Sequence, residues 1–257
     1  MTITLADIKH GVRLAPPITV LYGTHGVGKT SFAASAPAPI FLQTEDGMGL
    51  IDAPTFGVLT SFPAVIEALQ ALLTGDHDRE TVVIDSLDHL EPMVWAQVCK
   101  DNNWPNIEHP GFGKGYVAAL DAWRFLFDLL RQLRDTRNIG SVCIAHTQIA
   151  RFDSPDQEPY DRYSPKLAKA TSALVQEIAD TVLFANYRVA TTSTDVGFKK
   201  KITRGVGGGD RVLYTEERPA FLAKNRYGMP PSIPMTWGDY AHYVPFYAAQ
   251  LQPSQKE

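Results

Sequence analysis

Eight consecutive residues, Gly23-Thr24-His25-Gly26-Val27-Gly28-Lys29-Thr30, carry the most legible chemistry in this chain. They fit G-x-x-x-x-G-K-T/S without a mismatch. Glycines in such a loop let backbone N–H groups crowd around a chain of phosphates. Lys29 would reach the β- and γ-phosphates of a nucleotide, and the Thr30 hydroxyl would sit on Mg²⁺. The span Gly23 to Ser31 is therefore the expected ATP-binding segment.

Hydrolysis needs carboxylates beside that loop. Thr81-Val82-Val83-Ile84-Asp85 is a β-branched run that delivers an aspartate at its tip, the pattern that brings a carboxylate to the Mg²⁺ shell beside Thr30. Ile40-Phe41-Leu42-Gln43 leads in the same way into Thr44-Glu45-Asp46-Gly47. In open parallel sheets ligands bind at the C-terminal ends of the strands. Glu45 is thus the expected base, placed to orient and deprotonate the water that attacks the γ-phosphate. Gly140 to Ala145 forms another apolar run, ending in His146-Thr147-Gln148. Gln148 is expected either to sense the γ-phosphate and pass its state to the next loop, or to cap a neighbouring backbone.

These residues need elements to hold them. Ile18 to Tyr22 predicts a buried strand before the glycine loop, and Ser31 to Ala36 a helix that Pro37 stops. The runs at 40–43, 81–85, 140–145 and 181–185 add parallel strands, and a short strand falls at Val58-Leu59. Helices are expected at 63–73, 87–100, 116–137 and 166–178. The fold class is α/β: a mostly parallel sheet flanked by helices. From Tyr187 onward the pattern turns antiparallel, with short strands at 187–190, 198–203, 211–214 and 220–223. All 257 residues read as one domain: lead-in 1–17, parallel core 18–186, antiparallel extension 187–240 and a flexible tail 250–257.

Composition narrows the class. A net charge of −4 with 20% charged and 44% hydrophobic residues describes a soluble globular chain without a general basic coat. Two distant cysteines, Cys99 and Cys143, give no disulfide framework and suit a reducing compartment. No apolar run reaches membrane-spanning length and no signal-peptide pattern opens the chain, so a cytoplasmic location and no membrane partner are expected. The seven histidines show no ligand-like spacing, which argues against a structural metal.

Two segments suit nucleic acid. The polar loop 101–115 carries Trp104, Phe112 and Lys114 among glycines, a composition fit either for stacking on single-stranded bases or for a lid packing its own aromatics. The segment 149–165 carries Arg151 and Arg162 among four acids, a mixed charge that weakens an electrostatic case for DNA. Lys199-Lys200-Lys201 with Arg204 is the most basic patch, and reads as a protected edge strand or a phosphate contact.

The order of these motifs resembles the RecA core: glycine loop, strand-end Glu45, Asp85-Ser86, strand-end Gln148 before a loop, and the late Lys224-Asn225-Arg226. Residue 86 matters here, because AAA+ ATPases keep their catalytic glutamate directly after the strand-end aspartate, whereas RecA-like ATPases keep it on the strand after the first helix. The chain is similar to short phage-encoded RecA-like ATPases linked to single-strand annealing and recombination. Thr30-Ser31-Phe32-Ala33-Ala34-Ser35-Ala36-Pro37, Thr44-Glu45-Asp46-Gly47 and Gly113-Lys114-Gly115-Tyr116 carry that likeness, over roughly residues 15–240. It implies that Glu45 is catalytic and that Gln148 couples ATP state to a DNA-binding loop. It further implies that 101–115 and 149–165 contact DNA, and that Lys224 and Arg226 reach a neighbouring subunit's γ-phosphate in a homo-oligomer. Thr147 stands where RecA has an asparagine, and the lead-in is shorter than the polymerisation segment of larger members.

The expected function is a DNA-stimulated ATPase acting on single-stranded DNA in phage-type recombination, annealing or repair, with ATP and Mg²⁺ and a single-strand binding protein as a possible partner. A replication helicase or loader ATPase is the alternative, and a small-molecule kinase a more distant one.

Overall fold

The computed structural model of the chain describes residues 4, 11, 14–153, 158–195 and 201–251, and the side chains of all of these except 189–208. In chain order the first half comprises β1 (Ile18–Gly23), α1 (Lys29–Ala34), β2 (Pro39–Gln43), β3 (Thr55–Val58), α2 (Phe62–Thr74), β4 (Thr81–Asp85), α3 (Leu87–Asn102) and α4 (Lys114–Arg137). The second half comprises β5 (Gly140–Phe152), β6 (Tyr160–Pro165), α5 (Lys169–Ile178), β7 (Thr181–Asp195), β8 (Lys201–Tyr214), β9 (Lys224–Asn225), β10 (Ser232–Pro234), α6 (Trp237–Tyr243) and α7 (Pro245–Leu251).

The near-continuous apolar runs become central strands because both faces of the sheet are covered. Strands alternate their side chains between two cores: Val82 and Ile84 of β4 face one, Val83 the other. The first core lies under α2, α3, α4 and α5, and the second under α1, α6 and α7. Buried Tyr240 of α6 anchors the second layer, its hydroxyl 2.6 Å from Thr19 Oγ1 of β1.

The sheet order is β10-β8-β7-β1-β5-β4-β2-β3, with β6 paired to β5 and β9 to β7. From β7 to β3 the neighbours run parallel. β8 on β7 and β10 on β8 continue the sheet antiparallel. This is the expected α/β architecture. Its consequence for function lies in the register. Gly23 pairs with His146, and Gln43 pairs with Asp85. The ends of β1, β2, β4 and the apolar part of β5 therefore meet at one edge, with β5 between the glycine loop and Asp85.

Three expectations about local structure change. The described residues at both ends of the segment 149–165 are strand rather than loop: β5 runs on to Phe152, and β6 pairs antiparallel with it. Its mixed charges are cross-strand partners, Arg151 lying 3.8 Å from Asp161 and Arg162 stacking 3.7 Å from the Phe152 ring centroid. The antiparallel region is built on two long strands, β7 and β8, with only short β9 and β10 beside them, because β7 and β8 supply each other's backbone partners over eleven residues or more. Residues 220–223 form only isolated bridges at Phe221. The Lys199-to-Arg204 side chains, the tail beyond Leu251 and most of the lead-in lie outside the described residues. Among the described residues, no helix is long and apolar enough to cross a membrane.

Candidate functional site

Gly28 closes the loop after β1 in the left-handed region, at φ 99°, a conformation that a side chain would strain. A Cβ there would also lie 2.5 Å from the Arg211 guanidinium of β8. With Gly26, Gly28 and the start of α1, the loop lines a cavity of about 320 Å³ that also holds Glu45, Asp85 and His146. Its size and its convergent polar groups suit a bound small molecule.

Inside the cavity, Thr30 Oγ1 donates to Asp85 Oδ2 at 2.8 Å. Lys29 is buried, and its ammonium donates to the carbonyls of Gly23 and Thr24, each at 3.1 Å. Burial pushes the Lys29 pKa down, while the nearby carboxylates of Asp85, Asp88 and Glu45 oppose that shift. Burial likewise raises Asp85, with the Thr30 hydrogen bond opposing and the Glu45 charge reinforcing. Three carboxylates thus surround one lysine. An anionic phosphate chain can enter this field only with a cation that offsets the excess. The oxygen-only pair of Thr30 and Asp85 is a hard donor set that fits Mg²⁺. The buried Thr24 hydroxyl has no hydrogen-bond partner among the described residues, so the cradle retains a polar group for a ligand.

Glu45 reaches the cavity from the loop after β2, as its place in the sequence implied, and its side chain is 22% exposed. Ser86, directly after Asp85, is buried and tied to its neighbours. Its N–H donates to Thr44 Oγ1, and the Thr44 hydroxyl donates to the Ser86 carbonyl.

Two residues at or beside the cavity escaped the sequence reading. His146 lines the cavity, its ring stacked on His25 of the glycine loop with centroids 4.3 Å apart. Asp88 accepts from both the His146 backbone N–H and its Nδ1–H, each at 2.9 Å. The signal for His146 was present: it is the first polar residue after an apolar strand, the rule that selected Asp85. Gln148, two residues on, donates to the carbonyls of Pro165 and Leu167 and does not line the cavity.

Burial alone would raise Asp88, but hydrogen bonds from the His146 side chain and backbone bring its carboxyl down to about 2. A depressed carboxylate contributes stability above its unfolded pKa, near 3.8, and loses it as pH falls through about 2. Asp88→Asn should therefore cost about 2 kcal/mol at pH 7, and the difference from the parent protein should vanish between pH 4 and pH 2. Denaturant melts across that pH range measure it.

The remaining candidates are dispersed. Lys224 donates to the carbonyls of Gln176, Glu177 and Ala179, a cation at the C-terminal end of α5. Arg226 bonds Asp180 at 2.9 Å, with its side chain 51% exposed. Trp104 packs against the core, whereas Phe112 is fully exposed and Lys114 opens α4 at the surface. Arg162 is held by Glu217 at 2.7 Å.

A family model described as an AAA domain matches residues 15–227. No curated protein matches the chain. Among solved structures, the RadB recombinase is similar over 88% of this chain and 90% of its own, with a TM-score of 0.47 and 16% identity.

Proposed function

The chain belongs to the AAA domain family, and on that premise we propose that it is a RecA-like ATPase that acts on single-stranded DNA in recombination, annealing or repair. The observation that carries this reading is the source of the cavity-lining glutamate. It is Glu45, after β2, whereas the place after Asp85 holds the buried Ser86.

In this reading Lys29 leaves the two carbonyls it holds and takes the β- and γ-phosphates, while loop N–H groups cradle the rest of the chain. Thr30 and Asp85 hold Mg²⁺, which when bound neutralises phosphate charge. Glu45 aligns a water with the γ-phosphorus and accepts its proton as the water oxygen attacks. The bond to the β–γ bridging oxygen breaks, leaving ADP and phosphate. His146 touches the nucleotide end of β5, and the β5–β6 hairpin projects from the same strand. A shift at the His25–His146 stack thus has a rigid element through which to reach the hairpin. Phe112, Lys114 and Arg151 are the exposed groups offered to DNA. Arg226 is the freer of the two late cations to meet a neighbour's phosphate in a homo-oligomer, Lys224 being committed to α5.

Fluorescence anisotropy of a labelled single-stranded oligonucleotide, with and without a non-hydrolysable ATP analogue, tests the DNA arm. Binding is expected to tighten with the analogue and weaken with salt. Phe112→Ala should cost about 1–3 kcal/mol of that affinity, the worth of one stacked base. Absence of binding at low salt in every nucleotide state would overturn the proposal.

A further inference from the structure

Beside the nucleotide cradle, the fold brings together two histidines that lie 57 residues apart in sequence and a carboxylate from a third segment. Ligating atoms of Glu45, His89 and His146 all lie within 4.8 Å of one another. His89 Nδ1 is 3.3 Å from Glu45 Oε2, and His146 Nδ1 is 3.9 Å from Glu45 Oε1. A fourth donor is already fixed. Asp88 Oδ2 is 2.9 Å from His146 Nδ1 and 3.5 Å from His89 Nδ1, while Oδ1 is held by the His146 backbone N–H. Donors on a tetrahedral zinc ion, at bond lengths near 2.0–2.1 Å, sit about 3.3 Å apart. The four measured separations scatter around that value.

We propose that Glu45, His89, His146 and Asp88 form a site for a transition-metal dication of the zinc class, distinct from the Mg²⁺ position at Thr30 and Asp85. The two imidazoles select against Mg²⁺, which takes oxygen ligands and dehydrates reluctantly. The ring of His89 is 44% exposed and Glu45 is 22% exposed, so an entry path exists and both side chains have room to adjust. Asp88, at 3% exposure, supplies a rigid donor, and the proton it accepts from His146 Nδ1 moves to Nε2 when the metal takes Nδ1. Binding engages the Glu45 carboxylate. If Glu45 is the water-activating base, as proposed above, the metal therefore switches hydrolysis off; this inhibitory consequence rests on that reading, whereas the binding does not.

Two measurements on the full chain separate these claims. Zinc is titrated against a metallochromic indicator without nucleotide, in the parent protein and in His89→Ala, whose ring is half-exposed and whose fold is checked by circular dichroism. One equivalent is expected to bind with Kd on the order of 1 µM or tighter, and His89→Ala to weaken it at least about tenfold. Millimolar Mg²⁺ should not displace it. No binding at about 100 µM zinc, or binding unchanged in His89→Ala, would overturn the site. ATP turnover is then followed with excess Mg²⁺ as zinc is added. Inhibition of the parent, absent in His89→Ala relative to its own zinc-free rate, is expected. Histidine-dependent binding with undiminished turnover would leave the metal site standing and overturn the role of Glu45 as base.

Discussion

Lys29→Ala should lose roughly 100- to 1000-fold in ATP affinity, about 3–4 kcal/mol, and show no measurable turnover. The buried ammonium is the one side-chain cation among the cavity-lining residues, facing the carboxylates of Asp85, Asp88 and Glu45. Removing it takes away charge-assisted hydrogen bonds to phosphate and deepens the negative field that a nucleotide must enter. The same substitution should leave the fold standing. Among the described residues Lys29 bonds two carbonyls at the loop, Gly23 and Thr24, and the apolar packing beneath, through Phe32 and Ala33, is untouched. Titration with a fluorescent ATP analogue, paired with a thermal melt, separates a lost ligand contact from a lost fold.

Glu45→Gln should separate binding from chemistry. The amide keeps the shape of the side chain but cannot accept a proton, so kcat should fall by roughly 10²- to 10⁴-fold, the usual worth of a positioned general base. Affinity for ATP should hold or improve slightly. The Glu45 charge currently pushes Asp85 toward its protonated form, and removing it relieves both Asp85 and the incoming phosphates of a like-charge neighbour. Single-turnover phosphate release together with equilibrium binding distinguishes this from a defect in nucleotide capture. A parallel fall in affinity would mean that Glu45 holds ligand rather than water.

Much of this site was legible because its chemistry is local. The glycine loop, Asp85 and Glu45 each follow a short apolar run, and buried strands with helices on both faces require such runs. What escaped depends on contacts between distant segments. The second half of β5 exposes Ile149 and Arg151 on one face instead of continuing the apolar run, because there it pairs with β6 at the edge rather than inside the covered sheet. Taking His146-Thr147-Gln148 together as the strand end singled out Gln148 and left His146 unremarked. Histidine spacing along the chain gave no sign that α3 and β5 place His89 and His146 with ring centroids 5.7 Å apart. Lys224 and Arg226 had no sequence signal for the carbonyls and carboxylate at the end of α5 that they bond. The helices α6 and α7 went unassigned because each has only seven residues, too short for a helical period to stand out.

The proposed function is a DNA-responsive ATPase organised around Lys29 and Glu45. Phosphate release from ATP, measured with and without single-stranded DNA in the parent protein and in Glu45→Gln, tests it most directly. Single strands are expected to raise the parent rate, and that stimulation to be lost in the variant. A parent rate that is the same with and without DNA would contradict it.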